Sequence, residues 1–215
     1  MRRNWIFAVG TAVIFFGVAT MSSFVKVGKV DSDTVDAYSS WLCAALVGTM
    51  AAGLYREEVF ASVGKERRRH FITEGLLFSA LFILAGMVGS LLLYLFSASQ
   101  ITENEVLIHT DYEILPPLLI LSEYVLASPI FEEVMIHHVI QGGITSLKWR
   151  YSKYIGIVTA IAVSICGHAG LSIELIAYLP TAILSAMYYD RTKNIQVLII
   201  AHCCNNLLAF CLYSL

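Results

Sequence analysis

The sequence predicts an all-α protein, a bundle of about seven transmembrane helices in a single membrane domain over residues 1–215. The first reason is composition, because 58% of the 215 residues are hydrophobic and only 14% are charged, whereas soluble domains are about half apolar and about a quarter charged. The mean hydropathy of the chain is +0.73. The second reason is that several apolar stretches approach the roughly 20 residues that a helix needs to cross a hydrocarbon core. The short loops between them favour a prokaryotic cell membrane.

Seven apolar stretches are candidate membrane spans. Two of them, the fourth and the sixth, contain the four prolines of the chain, which membrane helices tolerate where neighbouring helices satisfy the freed backbone groups. The predicted spans are 5–24, 37–55, 72–97, 115–146, 154–171, 174–189 and 195–213.

The distribution of basic residues predicts the orientation. With the N-terminus inside, all but two of the fourteen Lys and Arg residues fall on the cytoplasmic side, and the exceptions are Lys26 and Lys29. Cytoplasmic loops of membrane proteins carry such an excess of basic residues. We therefore expect the loops 56–70 and 147–153 to be cytoplasmic. The net charge of −2 and the scattered basic residues predict membrane lipids as partners and no nucleic acid.

Polar side chains that carry chemistry are concentrated in the second half of the chain. A charged group inside a bilayer is unfavourable by about 2.5 to 3.5 kcal/mol, so such groups persist mainly where they face the bundle interior and serve a function. These side chains therefore predict one functional site shared by three helices. They are Glu123, Glu132, Glu133, His137 and His138 in the fourth span, His168 in the fifth, and His202, Asn205 and Asn206 in the seventh.

Helical spacing sorts these side chains into faces. Residues four apart lie on the same face, so Glu133 lies beside His137 whereas Glu132 points elsewhere. A glutamate can deprotonate water, histidines can hold that water or a metal, and an amide or imidazole can stabilise an oxyanion. The set therefore predicts hydrolysis of a peptide bond. We expect Glu123, His138 and Asn205, which lie off the shared faces, to serve packing.

Three motifs carry a family resemblance. Residues 128–137 (SPIFEEVMIH) resemble the EExxxR motif of the CAAX-protease and bacteriocin-processing family, also called CPBP or Abi. Residues 164–168 (SICGH) resemble its FxxxH motif, and residues 202–206 (HCCNN) match its HxxxN motif. The order, spacing and placement of these motifs in successive spans carry the resemblance, which covers a catalytic core over residues 115–210.

The resemblance implies an intramembrane endopeptidase related to the type II CAAX prenyl proteases. In that family the residue matching Glu132 activates water with help from the residue matching His168. The residues matching His202 and Asn206 stabilise the oxyanion or bind a metal. Glu133 completes the implied catalytic set.

The resemblance leaves the cofactor and the substrate open. A divalent metal such as zinc would be held by Glu132, His168 and His202, which are acceptable ligand types, and a metal-free glutamate mechanism is the alternative. The substrate would be a peptide or protein that enters from the bilayer, such as a prenyl-protein-like, leader-peptide or signal-peptide substrate.

Two departures from the motifs bear on activity. His137 stands where the motif has Arg, and Ser164 stands where it has Phe. An Arg would stay charged beside Glu133, whereas the supporting His137 can lose its proton near neutral pH. A second interpretation is therefore a proteolytically silent bacteriocin-immunity or scaffold membrane protein on the same fold. A small ion-coupled transporter is less favoured, because transporters usually have paired halves and the polar groups here lie in one half.

Overall fold

The computed structural model describes residues 65–97, 101–114, 117–147 and 149–213. The predicted spans 5–24 and 37–55 lie outside these residues, so they and the N-terminal orientation stay predictions. Within the described ranges the chain is helical and contains no strand. This part of the all-α prediction is confirmed.

The described helices include three that are long and apolar enough to cross a membrane, judged by length and composition. They are Ile72–Ser97, Ser152–Ala169 and Ile195–Leu212, and they agree within two residues with three predicted spans. In chain order the elements are α1 (Lys65–Ser97), α2 (Glu103–Ile114), α3 (Pro117–Ile120), π1 (Leu121–Ala127), α4 (Ser128–Glu133), π2 (Val134–Gln141), α5 (Gly142–Thr145), α6 (Ser152–Ala169), α7 (Leu175–Thr192) and α8 (Ile195–Tyr213).

The predicted span 115–146 is not a uniform α-helix. Residues 117–145, which we call the segmented helix, consist of three short α-helices separated by the π-helices π1 and π2. The predicted span 174–189 is helical as α7, which extends through Asp190 and Arg191. Because π-helical turns occur mostly as short insertions near functional sites, the segmented helix marks the place to look for chemistry.

Helix α2 lies between the predicted spans 72–97 and 115–146, in a part of the chain where no helix was predicted. Thr102 and Glu105 form a reciprocal cap, in which the Glu105 N–H donates to Thr102 Oγ1 at 3.1 Å and the Thr102 N–H donates to Glu105 Oε2 at 2.7 Å. This capping box satisfies two backbone donors at the start of the helix. The Thr102 hydroxyl also bonds the Tyr178 hydroxyl at 2.8 Å, which ties the start of α2 to α7.

The hydrophobic core lies where α1, the segmented helix, α7 and α8 meet. Helix α1 lies close to the backbone of α7 at Gly89, where a Cβ atom would lie 1.9 Å from the carbonyl oxygen of Ala177. Only glycine permits this contact. The core residues are Phe78, Phe82, Val134, Val139, Tyr189, Ile195, Val197, Leu198 and Ala201.

Candidate active site

The first part of the site is a pair formed by Glu132 and His168, which come from α4 and α6. Glu132 Oε2 lies 3.3 Å from His168 Nε2, and the two side chains are 23% and 26% exposed. The Ser128 hydroxyl, one turn earlier on the same face, donates to Glu132 Oε1 at 2.8 Å. The carboxylate is therefore held at both oxygens while the pair stays partly accessible.

The His168 ring is also supported from its face. It stacks on Tyr178 of α7, with ring centroids 4.8 Å apart and ring planes inclined by 17°. Because the Tyr178 hydroxyl bonds Thr102, the start of α2 contributes to the placement of this imidazole.

The second part of the site is centred on Glu133, which is 5% exposed. Its Oε1 lies 2.9 Å from His202 Nδ1 of α8, and its Oε2 lies 3.5 Å from His137 Nε2. An ionised carboxylate can only accept hydrogen bonds, so an ionised Glu133 requires a proton on Nδ1 of His202 in this contact. Nε2 of His202 then remains for another partner.

Gln141 extends this buried cluster, and sequence reasoning missed it. Its side-chain oxygen lies 2.8 Å from His137 Nδ1. Its amide nitrogen donates to the carbonyl of Ala186 in α7 at 2.8 Å. Its position four residues after His137, on the shared face of Glu133 and His137, could have indicated it. It was missed because it is uncharged and belongs to none of the three motifs.

Asn206 is held by a backbone carbonyl of the segmented helix, at the point where a proline follows π1. In π1 the Ser128 N–H donates to the Glu123 carbonyl, five residues earlier. The same register would pair the Tyr124 carbonyl with residue 129, which is a proline and has no N–H. The Asn206 side-chain amide donates to the Tyr124 carbonyl at 2.8 Å, which fixes Asn206 against the segmented helix.

The three residues expected to serve packing, His138, Asn205 and Glu123, have the following surroundings. Nδ1 of His138 lies 3.1 Å from the Tyr189 hydroxyl, and the Asn205 amide donates to Asn206 Oδ1 at 3.2 Å. Glu123 is buried in π1.

The structure thus brings the predicted residues together as two adjacent groups rather than one ring. Glu132 meets His168, while Glu133 meets His202 and His137. Among the described residues, no three His, Cys, Asp or Glu side chains are arranged to hold a metal ion. Nδ1 of His202 faces Glu133, and the metal set of Glu132, His168 and His202 stays a prediction.

The comparisons with known proteins cover the part of the chain that contains this site. Residues 114–208 match the family model of the Rce1-like type II CAAX prenyl endopeptidases, and this segment holds every glutamate and histidine of the site. The chain is 25% identical over 222 residues to the Bacillus subtilis (strain 168) protein named "Putative membrane peptidase YdiL", a match that covers 94% of this chain and 86% of that protein. No solved structure matches the chain. Residues 114–208 are thus similar to the type II CAAX prenyl endopeptidases, and both matches support the resemblance to the CAAX-protease and bacteriocin-processing family of membrane peptidases.

Proposed function

We propose that this protein is an intramembrane endopeptidase that hydrolyses a peptide bond in or beside the bilayer. The observation that carries the proposal is the 3.3 Å contact between Glu132 and His168, two partly exposed side chains on different helices. A carboxylate and an imidazole at this separation can both bind one water molecule. The distance between them can change when a substrate binds, because catalytic contacts often adjust in the substrate complex.

Glu132 acts as the general base in this proposal. The Ser128 hydrogen bond orients the carboxylate through Oε1, so Oε2 faces His168 and accepts the proton of the attacking water. His168 orients the water, and its ring is kept in place by Tyr178. The proton held by Glu132 then passes to the amine of the departing peptide fragment, which is the usual second task of such a base.

His202 and Asn206 stabilise the oxyanion that forms on the substrate carbonyl. Because Nδ1 of His202 faces Glu133, its Nε2 is the atom available to substrate. Nε2 donates only when the ring is protonated, and Glu133 is the counter-charge that such a ring needs away from water. The Asn206 amide has two N–H groups, and since one bonds the Tyr124 carbonyl the other can donate to the oxyanion.

The substrate in this proposal is a membrane-associated peptide or protein that enters the site from the bilayer. It resembles a prenyl protein, a leader peptide or a signal peptide. Support comes from the Rce1-like family match and from the name of the Bacillus relative. We place the protein in a prokaryotic cell membrane as a multi-pass protein with its N-terminus inside, which the distribution of Lys and Arg supports.

The test is to remove the proposed base without changing its shape. Glu132→Gln keeps the size of the side chain but cannot accept the proton of water, so we expect turnover to fall about 10²- to 10⁴-fold. Glu123→Gln is the matched control, because Glu123 is another buried glutamate of the segmented helix, and we expect little change. The measurement is turnover of a membrane-embedded peptide by purified variants at matched yield and stability. Comparable turnover by Glu132→Gln would remove the catalytic assignment.

A proteolytically silent immunity or scaffold protein is the second candidate. The observation in its favour is the 3.5 Å separation of His137 Nε2 and Glu133 Oε2, which is longer than a normal hydrogen bond and occurs where the motif has Arg. If the wild-type protein cleaves none of the three substrate kinds while remaining folded, this second candidate is the better account.

A further inference from the structure

The described helices form a bundle whose two ends carry opposite charge. At one end, which we call the basic end, Lys153 of α6 pairs with Asp190 of α7 at 2.9 Å. The Tyr188 hydroxyl of α7 donates to Glu74 of α1 at 2.6 Å, so the start of α1 lies at this end too. Helix α1 begins here with the segment KERRRH. The Lys and Arg residues with described side chains all lie at this end, and they are Arg150, Lys153, Arg191 and Lys193.

The opposite end, which we call the acidic end, is joined by different contacts. The Thr102 hydroxyl at the start of α2 bonds the Tyr178 hydroxyl in the first turn of α7 at 2.8 Å. The backbone N–H of Glu103 donates to the carboxylate of Glu174, just before α7, at 3.0 Å. Neither α2 nor the loop 170–174 contains a Lys or Arg, and their acidic residues are Glu103, Glu105, Asp111, Glu113 and Glu174.

The pair formed by Glu132 and His168 lies near the acidic end. His168 is in the last turn of α6, and its ring stacks on Tyr178 with the centroids 4.8 Å apart. The rise of an α-helix places His168 about 22 Å from Lys153 along α6, whereas a hydrocarbon core is about 30 Å thick. Glu132 shares the depth of His168 because the two side chains lie 3.3 Å apart. The pair is therefore far from the basic end.

The loop 170–174 indicates that this pair lies close to the surface of the bilayer. The loop joins α6 to α7 just after His168, and its apolar side chains Leu171 and Ile173 are 93% and 53% exposed. Apolar surface in water is unfavourable by about 25 cal/mol per Å², so these side chains lie against lipid or an apolar substrate. A substrate that enters from the bilayer would meet this loop beside the pair.

Basic residues concentrate on the cytoplasmic side of membrane proteins, so the charges favour a cytoplasmic basic end and an external acidic end. We propose that the site cleaves on the external side of the membrane, and that its substrate is an exported peptide, anchored by one apolar span and cut near the external end of that span. This inference rests on the proposed protease function and selects leader and signal peptides among its three kinds of substrate. A prenyl protein anchored at the cytoplasmic face would present its peptide bond at the basic end, about 22 Å from His168.

The first experiment measures the orientation of the bundle without using activity. Glu103→Cys marks the acidic end, and Arg150→Cys is its matched partner at the basic end, since both positions are exposed. A membrane-impermeant maleimide is added to spheroplasts that express each variant, and labelling above that of the wild type is counted. We expect Glu103→Cys to react in intact spheroplasts and Arg150→Cys to react only after permeabilisation. The reverse pattern, or labelling of both variants in intact spheroplasts, would overturn the proposal.

The second experiment compares the two membrane faces as places of cleavage. A model peptide has one apolar span of about 20 residues, with lysines at its cytoplasmic end to fix its orientation. The same library of randomised segments is placed either beyond the external end of the span or before its cytoplasmic end. Each peptide is produced together with the wild type or with Glu132→Gln, and products that appear only with the wild type are counted by mass spectrometry.

We expect about 10²-fold more product from the external segment, because the scissile bond must approach the reacting groups to within a near-attack distance. Equal cleavage of both segments, or cleavage of the cytoplasmic segment alone, would overturn the external site while leaving the protease function intact. If the wild type cleaves neither peptide, the proposed function fails and the substrate assignment fails with it. The maleimide labelling then still decides which face Glu132 and His168 occupy.

Discussion

Glu132 and Glu133 are neighbours in the sequence but occupy different surroundings. Glu132 is 23% exposed at its side chain and meets one histidine and one serine. Glu133 is buried between His137 and His202. Adjacent residues of a helix point about 100° apart, so the two carboxylates can make hydrogen bonds to different partners. The more accessible Glu132 is therefore the one that we propose as the base, whereas the buried Glu133 contacts two imidazoles.

The strongest way to break this comparison is to neutralise the buried carboxylate. Glu133→Gln leaves the buried His137 and the partly buried His202 without their carboxylate partner, and removing one partner of a buried pair destabilises by about 3–5 kcal/mol. We expect a large loss of unfolding free energy for Glu133→Gln and a change below about 1 kcal/mol for the partly exposed Glu132→Gln. Denaturant unfolding in detergent would measure both. Equal losses would mean that the two glutamates do not differ in role.

A second test changes the contact between α1 and α7, which lies behind the pair formed by Glu132 and His168. Gly89→Ala would place a Cβ atom 1.9 Å from the Ala177 carbonyl, so α1 and α7 must separate, and overpacking of this kind destabilises by about 1–3 kcal/mol. Because Ala177 precedes Tyr178, whose ring stacks on His168, we also expect turnover to fall.

The matched control for this change is Gly86→Ala, one turn earlier on α1. Its nearest neighbour would be Thr181 Cγ2 at 4.0 Å, which is an ordinary contact. We expect the unfolding midpoint and the turnover of this variant to stay near those of the wild type. If Gly89→Ala and Gly86→Ala have the same unfolding midpoint and turnover, the close approach of α1 to α7 does not support the pair of Glu132 and His168.

The variant with the smallest expected effect, Ser128→Ala, tests how the Glu132 carboxylate is oriented. Ser128→Ala removes the 2.8 Å hydrogen bond to Glu132 Oε1, and a bond to a charged group contributes about 1.5–3 kcal/mol. Since water can replace part of this bond at a partly exposed site, we expect kcat to fall only three- to tenfold, at about 1 kcal/mol per fivefold. Ser79→Ala is the control, because its hydroxyl bonds the Gly75 carbonyl within α1. An equal loss in both variants would contradict an orienting role for Ser128.

The sequence predicted the helices of the site better than the segments around them. Apolar length located the spans 72–97, 154–171 and 195–213 within two residues of the candidate spans, because hydrophobic length is a local property. Helix α2 was missed because the helix is short and many of its residues are polar. The T-x-x-E pattern that begins at Thr102 is nevertheless the signature of a capping box. The interruptions by π1 and π2 were also missed, because apolar periodicity does not distinguish an α-helix from a π-helix over one turn.

What the sequence by itself determined is the identity of the reactive side chains and the faces on which they lie. The spacing of Glu133 and His137 predicted their contact, and the adjacency of Glu132 and Glu133 predicted that they point apart. Both inferences depend only on helical geometry within one segment.

The partner of each side chain was decided only by the tertiary structure. Whether His202 meets Glu132 or Glu133 depends on the rotation and depth of α8 against the segmented helix, which no local pattern fixes. Gln141 and Ala186, or Asn206 and Tyr124, are likewise joined across different helices. These pairs form because a buried polar group must find a partner wherever helix packing places one, and that placement belongs to the folded bundle as a whole.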